Sequence, residues 1–523
     1  KYLRKTSLLL LFIVCNLQVF AQYDIKIEIT DNKDTALILG HYYLDKTYAF
    51  DTAYNKKGTF TFKSKDKKLD SGIYFLSDLK GRFVEIILQN ENKVRLKTKD
   101  SNWNQNMQVK SGSDELKAYY EYMKSTEHIQ EIAKQLKEQK VEKAVYDKEL
   151  KKLNEQNDSI KQAFIEKYPD YLLSKIFNAT KPITIPEFSV PTKEDGTADS
   201  TQWNAQRWYY YKNHYFDNID LSCAGLLRTP KMVFFQNYNR YWEDVMKYER
   251  VDSIIDYAHK VIERAKDSKG MKRFLIHNIT ERYLQSPYMG HDKIYVELIK
   301  AYYETGIADW VSPSDMDKNI ERAHKWENIL LGKQVPDLAC MDSAGVWHST
   351  KECNKDYKII LFWSPGCGHC SVEVPKYLKF YNEKKDIYSI EIYAINTESD
   401  LEAWKKFIND KGLNWINLNG LVANYDWREY FDIEKTPIMF VLDKNNTIIA
   451  KNIPADNLEQ IIKAIKEEIF PIDKYMNNCH ASTVLPLGDT VIAAWFGGSK
   501  EGNDDVKIYV SVRENGVWAE PYP

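Results

Sequence analysis

The stretch Trp363-Ser-Pro-Gly-Cys367-Gly-His369-Cys370-Ser-Val-Glu373-Val-Pro375 sets two cysteines three positions apart, directly after the apolar run "KIILFW" at 358–363. A short apolar run of that kind reads as a buried strand, and the residues from the motif to Lys384 read as a helix. The cysteines therefore stand where a strand ends and a helix begins. Unpaired amides and the macrodipole at a helix N-terminus favour negative charge, so a cysteine there is biased toward the thiolate that attacks disulfides. Cys367 is the expected nucleophile. One helical turn brings Cys370 beside it, able to resolve a mixed disulfide, and a protonated His369 adds positive charge near the thiolate. The competing reading is zinc, since Cys-x-x-Cys is half of a four-ligand site. The other half is missing, because Cys340 and Cys353 stand singly and read as buried thiols or a minor structural bridge. The expectation is a redox pair that cycles between dithiol and Cys367–Cys370 disulfide, with no metal and no further cofactor.

Outward from the motif the grammar is βα. After "GKQVPDL" come a hairpin near "DLACMDSAGVWHS", the strand Ile359–Trp363, the cysteine helix and a strand at "YSIEIYAIN". A helix at "DLEAWKKFIND", a hairpin at "IMFVLDKNNTIIAKNI" and a helix at "NLEQIIKAIKEEI" follow. Upstream, short β-branched and aromatic runs such as "IKIEIT", "LILGHYY", "GTFTFKS", "GIYFLSD" and "RFVEIIL" indicate a β-sandwich-like module over 22–111. Residues 112–331 change to helical periodicity with dense Lys and Glu, read as solvated helices with one buried stripe. The aromatic segment "WNAQRWYYYKNHYF" within them reads as core rather than as a ligand surface.

With 73 Lys and Arg against 75 Asp and Glu, the net charge of -2 offers nothing to nucleic acid or an anionic surface. The first 21 residues carry Lys1, Arg4 and Lys5, an apolar run from Leu8 to Val14, and Ala21 before Gln22. That run falls short of the about 20 residues a spanning helix needs and reads as an export signal, with no other transmembrane segment expected. Acylation at Cys15 fits poorly behind the bulky Val14. Export implies a disulfide-permissive compartment, in which six cysteines remain: Cys223, Cys340, Cys353, Cys367, Cys370 and Cys479.

"FWSPGCGHCSVEVP", followed nearly seventy residues on by "EKTPIMFVLD", resembles the thioredoxin superfamily, and within it the exported TlpA/ResA-like thiol:disulfide oxidoreductases, over residues 332–471. The resemblance implies a thioredoxin fold and protein thiols or disulfides as partners, with an upstream redox donor. It implies a periplasmic or cell-envelope location in a Gram-negative bacterium. It also implies a cis peptide before Pro437 lying against the cysteine pair, with Trp363, Thr436 and Pro437 as substrate-binding positions. Pro375 matches a helix-kinking proline, and Glu373 an acidic residue that tunes thiol protonation, as His369 does from within the motif. The upstream modules resemble those of Bacteroidota-type exported proteins. The peroxiredoxin signature Thr-x-x-Cys is absent, since Ser364 stands three before Cys367.

The tail, 472–523, resembles the opening blade of sialidase-like propellers with BNR repeats. It reads as three strands with turns at Leu487-Gly-Asp489, Gly497-Gly498 and Asn515-Gly516. A lone blade cannot bury its faces, so a glycan-acting propeller would need a remainder not in this sequence. The expected architecture is thus multidomain: signal, β-sandwich-like module, α-helical middle domain, α/β thioredoxin fold and an all-β propeller-blade fragment. The alternative to a disulfide oxidoreductase is a binding or scaffold protein working through the β and helical modules.

Overall fold

The computed structural model describes residues 22–89, 91–138, 142–193, 196–247, 249–466, 478–487, 490–498, 506–514 and 517–518. The expected export signal, with Cys15, lies outside them. The chain divides into two compact units, residues 1–282 with 308–310 and residues 283–307 with 311–523.

The first unit begins with eight strands: β1 (Tyr23–Thr30), β2 (Ala36–Tyr43), β3 (Lys46–Tyr54), β4 (Thr59–Ser64), β5 (Gly72–Asp78), β6 (Phe83–Leu88), β7 (Lys93–Lys99) and β8 (Gln108–Ser111). In β1 the isoleucines 25, 27 and 29 are buried while Lys26 and Glu28 are exposed, the two-residue alternation of a strand with one wet face. Two four-stranded sheets result, ordered β4-β1-β7-β8 and β3-β2-β5-β6. Ile27, Phe60 and Leu96 of the first share a core with Leu39, Leu76 and Ile86 of the second. The five runs read from sequence are β1, β2, β4, β5 and β6. Strand β3 escaped because it buries little beyond Ala53, and β7 because Lys and Arg separate its buried Val94, Leu96 and Thr98.

Helices follow: α1 (Asp114–Glu138), α2 (Lys143–Lys167), α3 (Leu172–Ala179), α4 (Ser200–His214), α5 (Phe235–Arg240), α6 (Val251–Glu263) and α7 (Lys269–Leu284). In α2 only Leu153 and Phe164 are buried, as a solvated helix with a thin apolar stripe requires. The aromatic segment is mixed rather than all core. Tyr215 and Phe216 pack on Tyr241, whereas Trp208 and Tyr209 of α4 are exposed.

The second unit carries α8 (Asp292–Leu298) and α9 (Pro313–Asn328), then the sheet that holds the cysteine motif. Its strands are β9 (Ala339–Asp342), β10 (Trp347–Ser349), β11 (Tyr357–Trp363), β12 (Ile390–Asn396), β13 (Ile416–Ala423), β14 (Ile438–Leu442) and β15 (Ile448–Lys451), in the order β10-β9-β13-β12-β11-β14-β15. Strands β11, β12 and β13 are mutually parallel, and β9 and β14 run antiparallel to their neighbours. The crossover helices are α10 (Gly368–Tyr388) and α11 (Leu401–Lys411), followed by α12 (Trp427–Tyr430) and α13 (Ala455–Lys466). Strand β11 is buried on both faces. Ile359, Leu361 and Trp363 pack with Val374 of α10, Trp404 of α11 and Leu458 and Ile462 of α13, while Ile360 and Phe362 pack with Val335, Trp427 and Phe431. Strand β13, "INLNGLVA", was missed in sequence because Asn417, Asn419 and Gly420 interrupt its apolar pattern.

The tail forms a four-stranded antiparallel meander: β16 (Asn478–Leu487), β17 (Thr490–Gly498), β18 (Lys507–Glu514) and β19 (Val517–Trp518). The expected three strands become four, and Gly497-Gly498 is not a turn but the end of β17, where Gly497 pairs with Lys507.

Lys358 is the one charged residue among the largest fully buried side chains of the described residues. Its ammonium donates to the carbonyls of Thr350 at 3.2 Å and Lys444 at 3.1 Å and to the Asn446 side chain. Three N–H groups meet three acceptors, so β11 is tied to the β14–β15 turn and to the loop after β10. Replacement with methionine keeps the apolar stem and orphans those acceptors. Lys358→Met is expected to lower stability by roughly 3 kcal/mol, read as a shifted denaturant midpoint at constant m-value.

Candidate functional site

The C-terminal ends of the parallel strands β11, β12 and β13 lie at one edge of the sheet, the position where open α/β sheets collect reactive loops. The cysteine motif leaves β11 there. Thr397 closes the end of β12 onto it by donating its N–H to the Trp363 carbonyl at 3.0 Å. Within the loop, the Cys367 N–H donates to the Ser364 carbonyl at 3.3 Å, and α10 starts at once.

Cys367 is the N-cap of α10. Its sulfur accepts the Cys370 N–H at 3.2 Å, and its thiol donates to the Thr436 carbonyl at 3.0 Å. The Thr436–Pro437 peptide is cis. Partial burial pushes the Cys367 thiol up. The hydrogen bonds that favour its thiolate outweigh this: they come from the Cys370 and Thr436 side chains and from the Cys370 and His369 backbone amides, and together they hold its pKa below the usual thiol value. Cys370 behaves oppositely. It is fully buried, and that burial, reinforced by the neighbouring Cys367 sulfur, pushes its thiol up to about 12. At neutral pH the pair therefore holds one accessible sulfur biased to thiolate and one buried protonated thiol.

The other predicted positions separate. His369 is exposed, and its contribution to Cys367 comes through its backbone N–H. Glu373 is half-buried one turn past Cys370 and accepts from Lys376 at 2.9 Å, with Lys376 also held by Asp456 at 2.9 Å. Pro375 lies inside α10. Trp363 is a correction: it is fully buried as the last residue of β11, packed on Phe407, and presents no surface to a docked partner. An apolar strand buried on both faces leaves its terminal ring nowhere but the core. Cys340 is a fully buried thiol pushed up to about 12 by burial, and Cys353 and Cys223 are free thiols as well. The side chain of Cys479 lies outside the described residues. Among the described residues no three His, Cys, Asp or Glu side chains come together as a metal site, and no helix is long and apolar enough to cross a membrane.

Two contributors escaped the sequence reading. The Thr436 side chain favours the Cys367 thiolate, beyond the backbone role expected of it. Glu398, just past β12, accepts the Gly366 N–H at 3.3 Å and sits so close that a Cβ on Gly366 would meet its carboxylate at 3.0 Å. Its signal was available: a polar residue at the C-terminal end of a parallel strand next to the motif strand.

Residues 354–448 match the family model described as thioredoxin-like. No match was found among curated proteins. Among solved structures, a domain of a "possible thiol-disulfide isomerase" from Cytophaga hutchinsonii is 35% identical, with 26% of this chain and 94% of that chain covered at a TM-score of 0.25. A thiol:disulfide interchange protein from a Bacteroides species is 27% identical over 26% of this chain and 89% of its own, with a TM-score of 0.24. A thioredoxin-like protein from Bacteroides caccae is 17% identical over 54% of this chain and 99% of its own, with a TM-score of 0.42. Through residues 354–448, the stretch that carries the cysteine pair, the chain belongs to the thioredoxin-like family.

Proposed function

We propose that the protein is an exported thiol:disulfide oxidoreductase that reduces disulfides of other proteins. The observation that carries this reading is the opposed state of two sulfurs on one helical turn, Cys367 capping α10 with its thiolate favoured and Cys370 buried and protonated. The Cys367 thiolate attacks one sulfur of a substrate disulfide, and the other substrate sulfur leaves as a thiolate that takes a proton from water. Cys370 then gives up its proton and attacks the Cys367 sulfur, releasing the second substrate sulfur. The substrate gains two electrons and two protons, the pair becomes a Cys367–Cys370 disulfide, and an upstream dithiol donor restores it. Thr436 and Pro437 border the attacking sulfur and are the proposed substrate-contact residues, while His369 and Glu373 remain proposed tuning residues on the same helix.

Export is supported by the basic residues and apolar run of the first 21 positions. In an oxidising compartment the contribution left for a dedicated dithiol is reduction of selected disulfides. The expected potential lies between roughly -270 mV and roughly -180 mV, the values of thioredoxin and of disulfide isomerase, and titration against glutathione measures it. A value near roughly -120 mV would reverse the direction while keeping the chemistry. The four-stranded meander of the tail's described residues, with Trp495 stacked on Tyr509, supports reading it as a propeller-blade fragment.

Cys367→Ser is expected to abolish disulfide exchange. Cys370→Ser is expected to accumulate mixed disulfides, seen on non-reducing gels, because attack proceeds and release does not. Equal trapping by both variants would refute the assignment of roles.

The pH dependence follows from the sign of each shift. A thiol whose pKa is lowered ionises at lower pH than an ordinary one, so alkylation of Cys367 should rise with pH with its midpoint below that of a free cysteine. Cys370 should stay inert to iodoacetamide up to about pH 10. Thr436→Val removes a hydroxyl that favours the thiolate and should move the Cys367 profile to higher pH.

A further inference from the structure

The turn that carries Cys367 is Ser364-Pro365-Gly366, between the last residue of β11 and the N-cap of α10. Its own backbone closes it through the Cys367 N–H and the Ser364 carbonyl. A second hold comes from the neighbouring strand. Because β12 runs parallel to β11 with Asn396 opposite Trp363, the chain leaving β12 passes beside the turn. Thr397 donates its N–H at 3.0 Å and its hydroxyl at 3.3 Å to the Trp363 carbonyl, and the Glu398 carboxylate accepts the Gly366 N–H at 3.3 Å. The turn is gripped at its start and at the residue before the nucleophile.

Glu398 is itself held in place. The fully buried Asn396 brackets its main chain, donating to the Glu398 carbonyl at 2.6 Å and accepting the Glu398 N–H at 3.2 Å. Strand β13 backs Asn396 so closely that a Cβ on Gly420 would stand 2.4 Å from the Asn396 carbonyl oxygen. Arg428 of α12 donates to the Thr397 carbonyl at 2.9 Å, and beyond Glu398 the Asp400 side chain caps α11 by accepting the Ala403 N–H at 2.9 Å. With its neighbours tied on both sides, the half-buried Glu398 has little freedom to swing away from Gly366. Its carboxylate lies over that glycine so closely that a Cβ there would stand 3.0 and 3.1 Å from the two oxygens, so a side chain at 366 displaces it.

We propose that Glu398 is a positioning residue for disulfide exchange: by holding the Gly366 amide it fixes the direction in which Cys367 leaves the turn, and so keeps the sulfur over the first amides of α10 and against Thr436. The inference rests on the thiol–disulfide reading above. The sulfur meets the Cys370 N–H at 3.2 Å and the Thr436 carbonyl at 3.0 Å, and hydrogen bonds weaken steeply with misalignment. A turn free to rotate about Gly366 carries the sulfur off the helix amides that favour its thiolate, and misplaces the attacking atom. The charge of the carboxylate acts in the other direction, since a negative group near the sulfur disfavours the thiolate. Position and charge therefore predict opposite shifts, and an experiment can separate them.

The test uses the full-length protein, with two readouts: the pH profile of alkylation, followed on the peptide that contains Cys367, and kcat/KM for reduction of insulin. Glu398→Leu should move the alkylation midpoint to higher pH and lower kcat/KM at neutral pH roughly fivefold, the worth of one hydrogen bond. Glu398→Gln keeps an acceptor and drops the charge, so it should hold the rate within about twofold of the unsubstituted chain with a midpoint no higher. Gly366→Ala should reproduce Glu398→Leu, and the double variant should be no slower than either single one, because both remove the same contact. A thermal melt checks that each variant folds, and a change confined to the melt, with the midpoint unmoved, marks a merely structural role. A midpoint that fails to rise in Glu398→Leu, a loss in Glu398→Gln equal to that in Glu398→Leu, or additive losses in the double variant overturns the inference and leaves the oxidoreductase reading intact. Failure of the unsubstituted chain to reduce insulin overturns both.

Discussion

The hydrogen bond from the Cys370 amide to the Cys367 sulfur, 3.2 Å long, is the contact on which the chemistry depends. A helix that begins with a cysteine must satisfy its first amides with something, and here the sulfur does so. The same bond that starts α10 also favours negative charge on its acceptor. A local rule of helix construction and the activation of a nucleophile are one interaction seen from two sides.

That bond would have little effect without the sheet beneath it. Strand β11 delivers the motif to the edge where β12 and β13 also end, and the antiparallel β14 brings Thr436 back to the same place from a point nearly seventy residues on. Thr436 then acts twice on one sulfur: its carbonyl accepts from the thiol at 3.0 Å, which favours the protonated form, and its hydroxyl supports the thiolate. The balance falls to the thiolate because the two backbone amides and the Cys370 thiol add to the hydroxyl. Burial draws the further distinction. Two thiols of the same intrinsic acidity separate because one reaches the surface and the other faces Val374 and Trp363 in the core.

Charges elsewhere in the second unit follow a common rule. Lys358 is buried against three oxygens, and Lys451 against a carboxylate and a carbonyl. Lys358 uses all three of its donors and Lys451 two, and each ties separate segments together at the cost of desolvation.

The sequence by itself determined the elements whose information is local. "KIILFW" read as a buried strand and Cys-Gly-His-Cys after it as the opening of a helix, and the alternation of Ile25, Ile27 and Ile29 spelled out a sandwich strand. The division of labour between Cys367 and Cys370 was legible for the same reason, since helix position alone predicts it. Tertiary structure decided what depends on residues far apart. Strand β13 exists because its neighbours pair with it, despite Asn417 and Asn419. Trp363, read as a substrate contact, is core because both faces of β11 are covered. The contacts of Thr436 with the Cys367 sulfur and of the Glu398 carboxylate with Gly366 arise only when the cysteine loop meets the ends of β12 and β14. A periodicity records which face of an element is apolar; it carries no record of which distant side chain will be brought against that face.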